Sequence, residues 1–316
     1  MIIYQIKNFP LFIIRKLSTT FFGFFSTSIG KLKKKESIII DEVKNLLKKK
    51  LTSQSQIGAT NYYISRIRKM LLYGNIRKFI RYDVVLNSLF VQNRLYLIKE
   101  YNYVVKNVKN YKHIFEDKVG FPIPFFLNFR TSGNRIHHLY HILRFKFFLE
   151  KKKIEDFDII FDWGGGYGSM CRLFFKLGFK GTYIIYDFDE LHYLQYYYLK
   201  TLGHKVNYNN SIKLNCINLI NNESLIKKFI KKNKSKNKLF VSCWALSETE
   251  KKIRKKFDYV FKTFKYILLG FQEKYHGINN IKYFKGKIKV KDKKNLLIEK
   301  SNNNFENHYY IFSKKS

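Results

Sequence analysis

Residues 158–169 read Asp-Ile-Ile-Phe-Asp-Trp-Gly-Gly-Gly-Tyr-Gly-Ser, and this stretch constrains the fold more than any other. A short apolar run, Ile159 to Phe161, ends in an acid, Asp162. A turn with four glycines in five residues follows, then an amphipathic stretch over 170–176. Strand, tight glycine turn and helix open a nucleotide-binding α/β unit. Glycine lets the backbone take positive φ and approach a ligand closely. The start of the helix offers N–H groups that have no partner within the helix.

The glycine spacing narrows this further. A dinucleotide fingerprint, G-x-G-x-x-G, would need glycine at 169, where Ser169 stands. The actual pattern is D-x-G-x-G-x-G, through Asp162, Gly164, Gly166 and Gly168. A glycine-rich turn without a ligand is the plainer alternative, and the leading strand and acid weigh against it. The pattern resembles motif I of the class I S-adenosylmethionine-dependent methyltransferases. That resemblance implies S-adenosyl-L-methionine as cofactor, cradled by Asp162, Gly164, Gly165, Gly166 and Gly168. Asp187 lies 19 residues beyond Gly168, at the end of the next expected strand, 183–186. An acid there is placed to accept hydrogen bonds from ribose hydroxyls. Phe188, next to it, joins the expected cofactor set. Asp189 is better placed than Asp187 to cap the following helix.

A length of 316 residues fits one large or two modest domains, and 46% hydrophobic residues can fill a sizeable core. Cys171, Cys216 and Cys243 are too few and too scattered for a disulfide framework or a zinc ribbon, which fits a reducing, cytoplasmic setting. The formal charge of +38 points to a polyanionic partner or an anionic membrane surface. A compositional origin competes with that reading, because the chain is rich in Lys, Ile, Asn, Phe and Tyr throughout. Its lysines fall in scattered runs at 31–35, 48–50, 151–153 and 227–238 rather than in one stripe.

Three regions are expected. Residues 1–36 are apolar and aromatic with basic flanks; the longest uncharged run, 17–30, has 14 residues. A spanning helix needs about 20 apolar residues. An interfacial helix at the inner face of a membrane and a helix packed on its own domain both fit. Residues 37–132 form a helical cap or accessory region, with helical spacing over 38–51, 62–73 and 84–108. Residues 133–316 form the cofactor-binding domain, opening with a helix over 134–150 whose stripe is Ile136, Tyr140, Leu143 and Phe147. Strands then alternate with helices: strands at 205–208, 239–244 and 266–270, helices at 191–202, 225–232 and 247–261. The stretch 211–222 gives no clear pattern, and 296–298 with 309–312 fit an antiparallel pair on the sheet edge. The fold class is therefore α/β, a Rossmann-like, mostly parallel sheet with an N-terminal helical region.

Residues 242–248, Ser-Cys-Trp-Ala-Leu-Ser-Glu, end the fourth expected strand of the core and should line the ligand crevice. Trp244 is taken as a cofactor neighbour and Glu248 as a catalytic candidate; Ser247 with Glu250 fits a capping box. Amino methylation of bases typically uses an Asn/Asp-Pro-Pro-aromatic motif here, and this segment has no proline. Cys243 follows serine on a strand and fits a packed core cysteine, not a pyrimidine nucleophile. Both absences weigh against nucleic acid as acceptor. An oxygen acceptor needs a general base, and histidine suits that near neutral pH. His137, His138 and His141 are the candidates, against the ordinary alternative of packed or solvent-facing histidines. His137 and His141 also have helical metal-ligand spacing, but no third ligand is evident, so no metal is expected.

Several segments together resemble a family of sugar O-methyltransferases of bacterial polysaccharide loci. They are 161–168, 186–190 with 194–199, 245–248, 271–272, 279–280 and 283–284, with 131–141 resembling the family's helix before the core. The resemblance covers about residues 120–316; Phe188 departs from it, standing where family members often have leucine followed by proline. It implies an O-methyltransferase acting on a saccharide or sugar-containing small molecule. The alternatives are an RNA methyltransferase, favoured by the charge, and a non-catalytic cofactor-binding scaffold.

Overall fold

The structure, a computed structural model, describes residues 30–49, 59–208, 211–301 and 307–314. Most of the segment expected at a membrane interface, residues 1–29, lies outside these. Among the described residues no helix is long and apolar enough to cross a membrane. The chain forms two compact units that meet in sequence at Leu143 and Arg144.

The N-terminal unit is helical. Helix α1 spans Lys34–Lys49, α2 Ala59–Tyr73 and α3 Leu97–Asn107. The single helical pattern over 84–108 is broken: a short helix, Asp83–Leu86, is separated from α3 by turns and extended chain. Two buried amides account for the break. Gln92 Nε2 donates to the Leu86 carbonyl at 2.9 Å, and Asn93 Nδ2 to the Pro124 carbonyl at 2.9 Å. Buried polar side chains must find such partners, and here the carbonyls at the end of the short helix and in the 122–125 segment supply them. Pro124–Phe125 and Asn128–Ser132 form a small antiparallel hairpin. Helix α4, Gly133–Leu149, follows and carries the boundary between the units. Its first part buries Ile136 with Leu97 and Phe125. Arg135, fully buried, is neutralised by Glu116 at 2.7 Å and Asp117 at 2.5 Å. Phe147, expected on the apolar stripe, is instead 77% exposed. Phe145 and Phe148 hold that end of the helix, with ring centroids 5.7 and 6.0 Å from Phe312.

The C-terminal unit is a doubly wound α/β sheet of eight strands. These are β1 Ile159–Trp163, β2 Thr182–Tyr186, β3 Val206–Tyr208, β4 Ile217–Leu219, β5 Lys238–Cys243, β6 Tyr266–Gln272, β7 Leu296–Lys300 and β8 His308–Lys314. Their order is β7-β8-β6-β5-β1-β2-β4-β3. Only β8 runs antiparallel to its neighbours, β6 and β7, so the expected antiparallel pair stands at one edge with its reversed member one place in. Helices α5 Ser169–Lys176, α6 Asp189–Thr201, α7 Glu223–Lys232, α8 Lys251–Lys256 and α9 Asn280–Lys287 accompany the strands.

Every residue of β1 is buried, as a central strand covered on both faces requires. Phe161 lies 5.5, 6.3 and 6.1 Å from the rings of Phe240, Phe257 and Phe264. Full burial of one such side chain contributes roughly 1.5–3 kcal/mol. Strand β4 occupies the stretch that gave no sequence pattern, because its middle residue, Asn218, is fully buried. Its amide donates to the Lys213 carbonyl at 2.9 Å and accepts from the Lys213 N–H at 2.8 Å. From β1 the chain builds outward through β2, β4 and β3 on one side and through β5 and β6 on the other. Ligands of open sheets bind at the carboxyl ends of the strands where this reversal occurs, here between β1 and β5.

Candidate active site

The glycine turn leaves β1 at that point. Gly164, Gly166 and Gly168 have φ of 79°, 57° and 95°, where a side chain is strained. Two backbone bonds fix the turn: Gly164 N–H to the Tyr186 carbonyl, 2.9 Å, and Gly168 N–H to the Gly165 carbonyl, 2.9 Å. Close packing also excludes side chains here. A Cβ on Gly164 would sit 2.1 Å from the Ala245 Cβ, and one on Gly165 would sit 2.7 Å from Ile185 Cγ2. The loop is thus pressed between β2 and the turn after β5, with α5 starting directly behind it.

Asp162 lies beneath this loop. It is 2% exposed, and its Oδ2 accepts the Tyr183 hydroxyl at 2.8 Å. A Cβ on Gly165 would come within 3.2 Å of that oxygen. Burial pushes the Asp162 carboxyl up to about 7, against the opposing effect of the Tyr183 bond. Asp187, half-buried just past β2, accepts from the Phe188 N–H at 3.0 Å and from Gln195 Nε2 at 3.1 Å. Burial also raises its carboxyl to about 7 and Asp162 adds to the rise, while the Phe188, Gln195 and Gly166 donors oppose it. Phe188 is the extended N-cap residue of α6 and is 41% exposed.

Gln195 had no assigned role in the sequence, yet it joins two parts of the site. The same nitrogen that reaches Asp187 donates to the Gly166 carbonyl at 2.7 Å. Its one sequence signal is a polar residue among Leu194, Tyr197 and Tyr198 on a face that is buried. Gln195 Oε1 and Trp163 Nε1 are buried without a hydrogen-bond partner among the described residues.

Trp244 follows β5 with φ 65° and ψ −46°, a strained conformation for a non-glycine residue. Its N–H donates to the Gly270 carbonyl at 2.6 Å, and its indole Nε1 to His308 Nδ1 at 3.3 Å. The ring packs over Gly270, where a Cβ would lie 3.2 Å from it. The next residue, Ala245, is the one that touches the glycine loop. Glu248 is exposed and accepts from Gln272 Nε2 at 3.3 Å.

The expected capping box is not formed. Ser247 is buried, and its hydroxyl serves the Trp244 carbonyl at 2.6 Å and Gln272 Oε1 at 2.7 Å. The helix expected from 247 is a short 3-10 turn, Ala245–Glu248, followed by α8. Arg254, fully buried, ties this region together through the carbonyls of Ser247 and Thr249 and the Asn280 side chain.

His137, His138 and His141 lie on α4 within the N-terminal unit. His137 Nδ1 is 2.8 Å from Glu100 Oε2, both side chains being buried. The His137 and His141 rings meet edge to face at 4.2 Å. Burial, then the charges of His137 and Arg135, pushes His138 down to about 3. Burial also holds His141 well below the ordinary imidazole value, with His137 and His138 adding to the effect. Among the described residues no group of three or more His, Cys, Asp and Glu could hold a metal ion.

No family model matches the chain, and no curated protein sequence does. Several solved structures are similar at low identity. An rRNA methylase from Streptococcus thermophilus is 11% identical over 55% of this chain and 95% of its own, with a TM-score of 0.38. A magnesium protoporphyrin IX methyltransferase from Synechocystis, with bound S-adenosylmethionine, is 11% identical over 58% of this chain and 81% of its own, with a TM-score of 0.38. An O-methyltransferase family protein from Burkholderia thailandensis is 9% identical over 58% of this chain and 60% of its own, with a TM-score of 0.36.

Proposed function

We propose that the chain is an S-adenosylmethionine-dependent methyltransferase whose acceptor is a saccharide hydroxyl. One observation carries the cofactor: a side-chain-free glycine loop and a carboxylate, Asp187, stand together at the carboxyl ends of β1 and β2. Gly164, Gly165, Gly166 and Gly168 would let the backbone meet the cofactor, and Asp187 would take its ribose hydroxyls. Gln195 Oε1, a buried acceptor without a partner among the described residues, suits a ligand that brings a donor. When bound, S-adenosylmethionine supplies an electrophilic methyl group on a sulfonium.

The acceptor class draws on different residues. The end of β5 lacks the prolines typical of base methylation, and Glu248, Gln272 and His308 offer hydroxyl-binding groups around Trp244. His137, His138 and His141 on α4 are the proposed candidates to take the hydroxyl proton. The Glu100 carboxylate, 2.8 Å from Nδ1, fixes the His137 ring. Burial lowers the basicity of His138 and His141 from the ordinary imidazole value.

The test is transfer of labelled methyl from S-adenosylmethionine to nucleotide-sugars, lipid-linked oligosaccharides and RNA, using the full chain. Label in a saccharide is expected. Label only in RNA, which the charge of +38 would favour, overturns the acceptor class; label in none overturns the activity. His137→Gln should lower turnover about 100-fold with cofactor affinity unchanged. Full turnover in that variant would move the base elsewhere.

A further inference from the structure

Gln195 sits in α6, on the far side of Asp187 from the glycine loop in sequence, yet its side chain reaches both. A primary amide nitrogen carries two hydrogens. Here one goes to the Gly166 carbonyl at 2.7 Å and the other to Asp187 Oδ2 at 3.1 Å. The Gln195 side chain is wholly buried, while both acceptors are half-buried. We propose that Gln195 is a positioning residue that locks the glycine loop to the ribose-binding acid, so that the two meet the cofactor as one preformed unit. This rests on the cofactor reading above and adds to it a residue that acts through Asp187 and Gly166.

The chemistry favours glutamine over the alternatives. A glutamate would set a like charge against Asp187 and offer no donor when ionised. A lysine would neutralise Asp187 and compete with the ligand for it. The amide supplies two donors and no net charge, so the carboxylate keeps its own charge for the incoming hydroxyls. Asp162 on β1 is the titratable group that raises Asp187, Asp187 in turn raises Tyr186 at the end of β2, and the backbone donors to Asp187 are the N–H groups of Phe188 and Gly166. Removing the amide donor leaves burial and Asp162 less opposed, so Asp187 becomes harder to ionise near neutral pH.

The experiment measures calorimetric affinity for S-adenosylmethionine between pH 6 and 9 in the wild type, Gln195→Met and Gln195→Glu. Methionine keeps the approximate volume and deletes both donors. Wild-type affinity should rise with pH through about 7, as Asp187 ionises. In Gln195→Met, affinity at pH 7 should fall about tenfold, the equivalent of one good hydrogen bond. The midpoint of its profile should also move to higher pH, with the gap to wild type narrowing at pH 9. Should that variant fail to fold, Gln195→Glu supplies the second arm, with its largest loss above neutral pH. A uniform loss with an unmoved midpoint means mere packing and overturns the proposal, as does a Gln195→Glu profile that tracks the wild type. Wild-type protein that binds no S-adenosylmethionine at any pH overturns the cofactor reading itself; binding with an unmoved midpoint overturns only the role of Gln195.

Discussion

Asp162 and Asp187 are acids of similar raised pKa in unlike surroundings. Asp162 is sealed under the glycine loop and accepts the Tyr183 hydroxyl. Its charge is therefore unfavourable to folding. The folded-state value of about 7 lies above the ordinary 3.8, so the folded protein binds the extra proton between those pH values. Stability from this group falls as pH rises through that window and stays low above it. Asp162→Asn removes the charge and keeps an acceptor for Tyr183. At pH 8 the variant should be more stable by about 2 kcal/mol, and near pH 4 the two proteins should converge. Denaturant melts at both pH values check this, and a variant equally or less stable at pH 8 contradicts it. The glycines and Asp187 were legible because their signal is local: spacing, a strand before, a strand end after. Gln195 was not, because its role depends on α6 folding back over the loop. Ser247 was misread for a similar reason. Its S-x-x-E pattern is local, but Gln272 on a distant strand takes its hydroxyl.

At the scale of elements, the alternation of strands and helices was visible wherever apolar runs were long enough. Strand β4 escaped because Asn218 breaks its apolar run, and the long helix over 84–108 failed because Gln92 and Asn93 prefer carbonyls elsewhere. What locks the elements around the site is close approach at the glycine turn. Gly164 and Gly203 separate conformational strain from packing. Both have positive φ, 79° and 87°. A Cβ at Gly203 meets nothing within 4 Å, whereas one at Gly164 meets Ala245 at 2.1 Å. Gly203→Ala should cost about 1 kcal/mol, from the backbone alone, and leave cofactor binding intact. Gly164→Ala should cost clearly more, about 2 kcal/mol or above, and abolish cofactor binding, because the turn after β5 must move. Thermal melts of the pair, each with a cofactor titration, read both effects. Equal losses in the two variants would mean that the contact with Ala245 is soft.

At the scale of the whole molecule, the +38 charge raises the question of partner. Lysines fall on α7, on α8 and in the loops between strands, most of them solvent-facing. Such a distribution accords with a compositional bias, in which case turnover on a saccharide should depend only weakly on salt. Turnover on RNA would fall steeply with salt, because released counterions drive that binding. The acceptor question, however, arises only if the glycine loop and Asp187 hold S-adenosylmethionine. The most direct measurement is calorimetric titration of S-adenosylmethionine into the full chain and into Asp187→Ala at pH 7.5. Saturable binding at one site per chain is expected for the wild type, with affinity at least about tenfold weaker in the variant, as loss of a charged hydrogen-bond acceptor requires. No binding by the wild type, or equal affinity in the two proteins, would contradict the account.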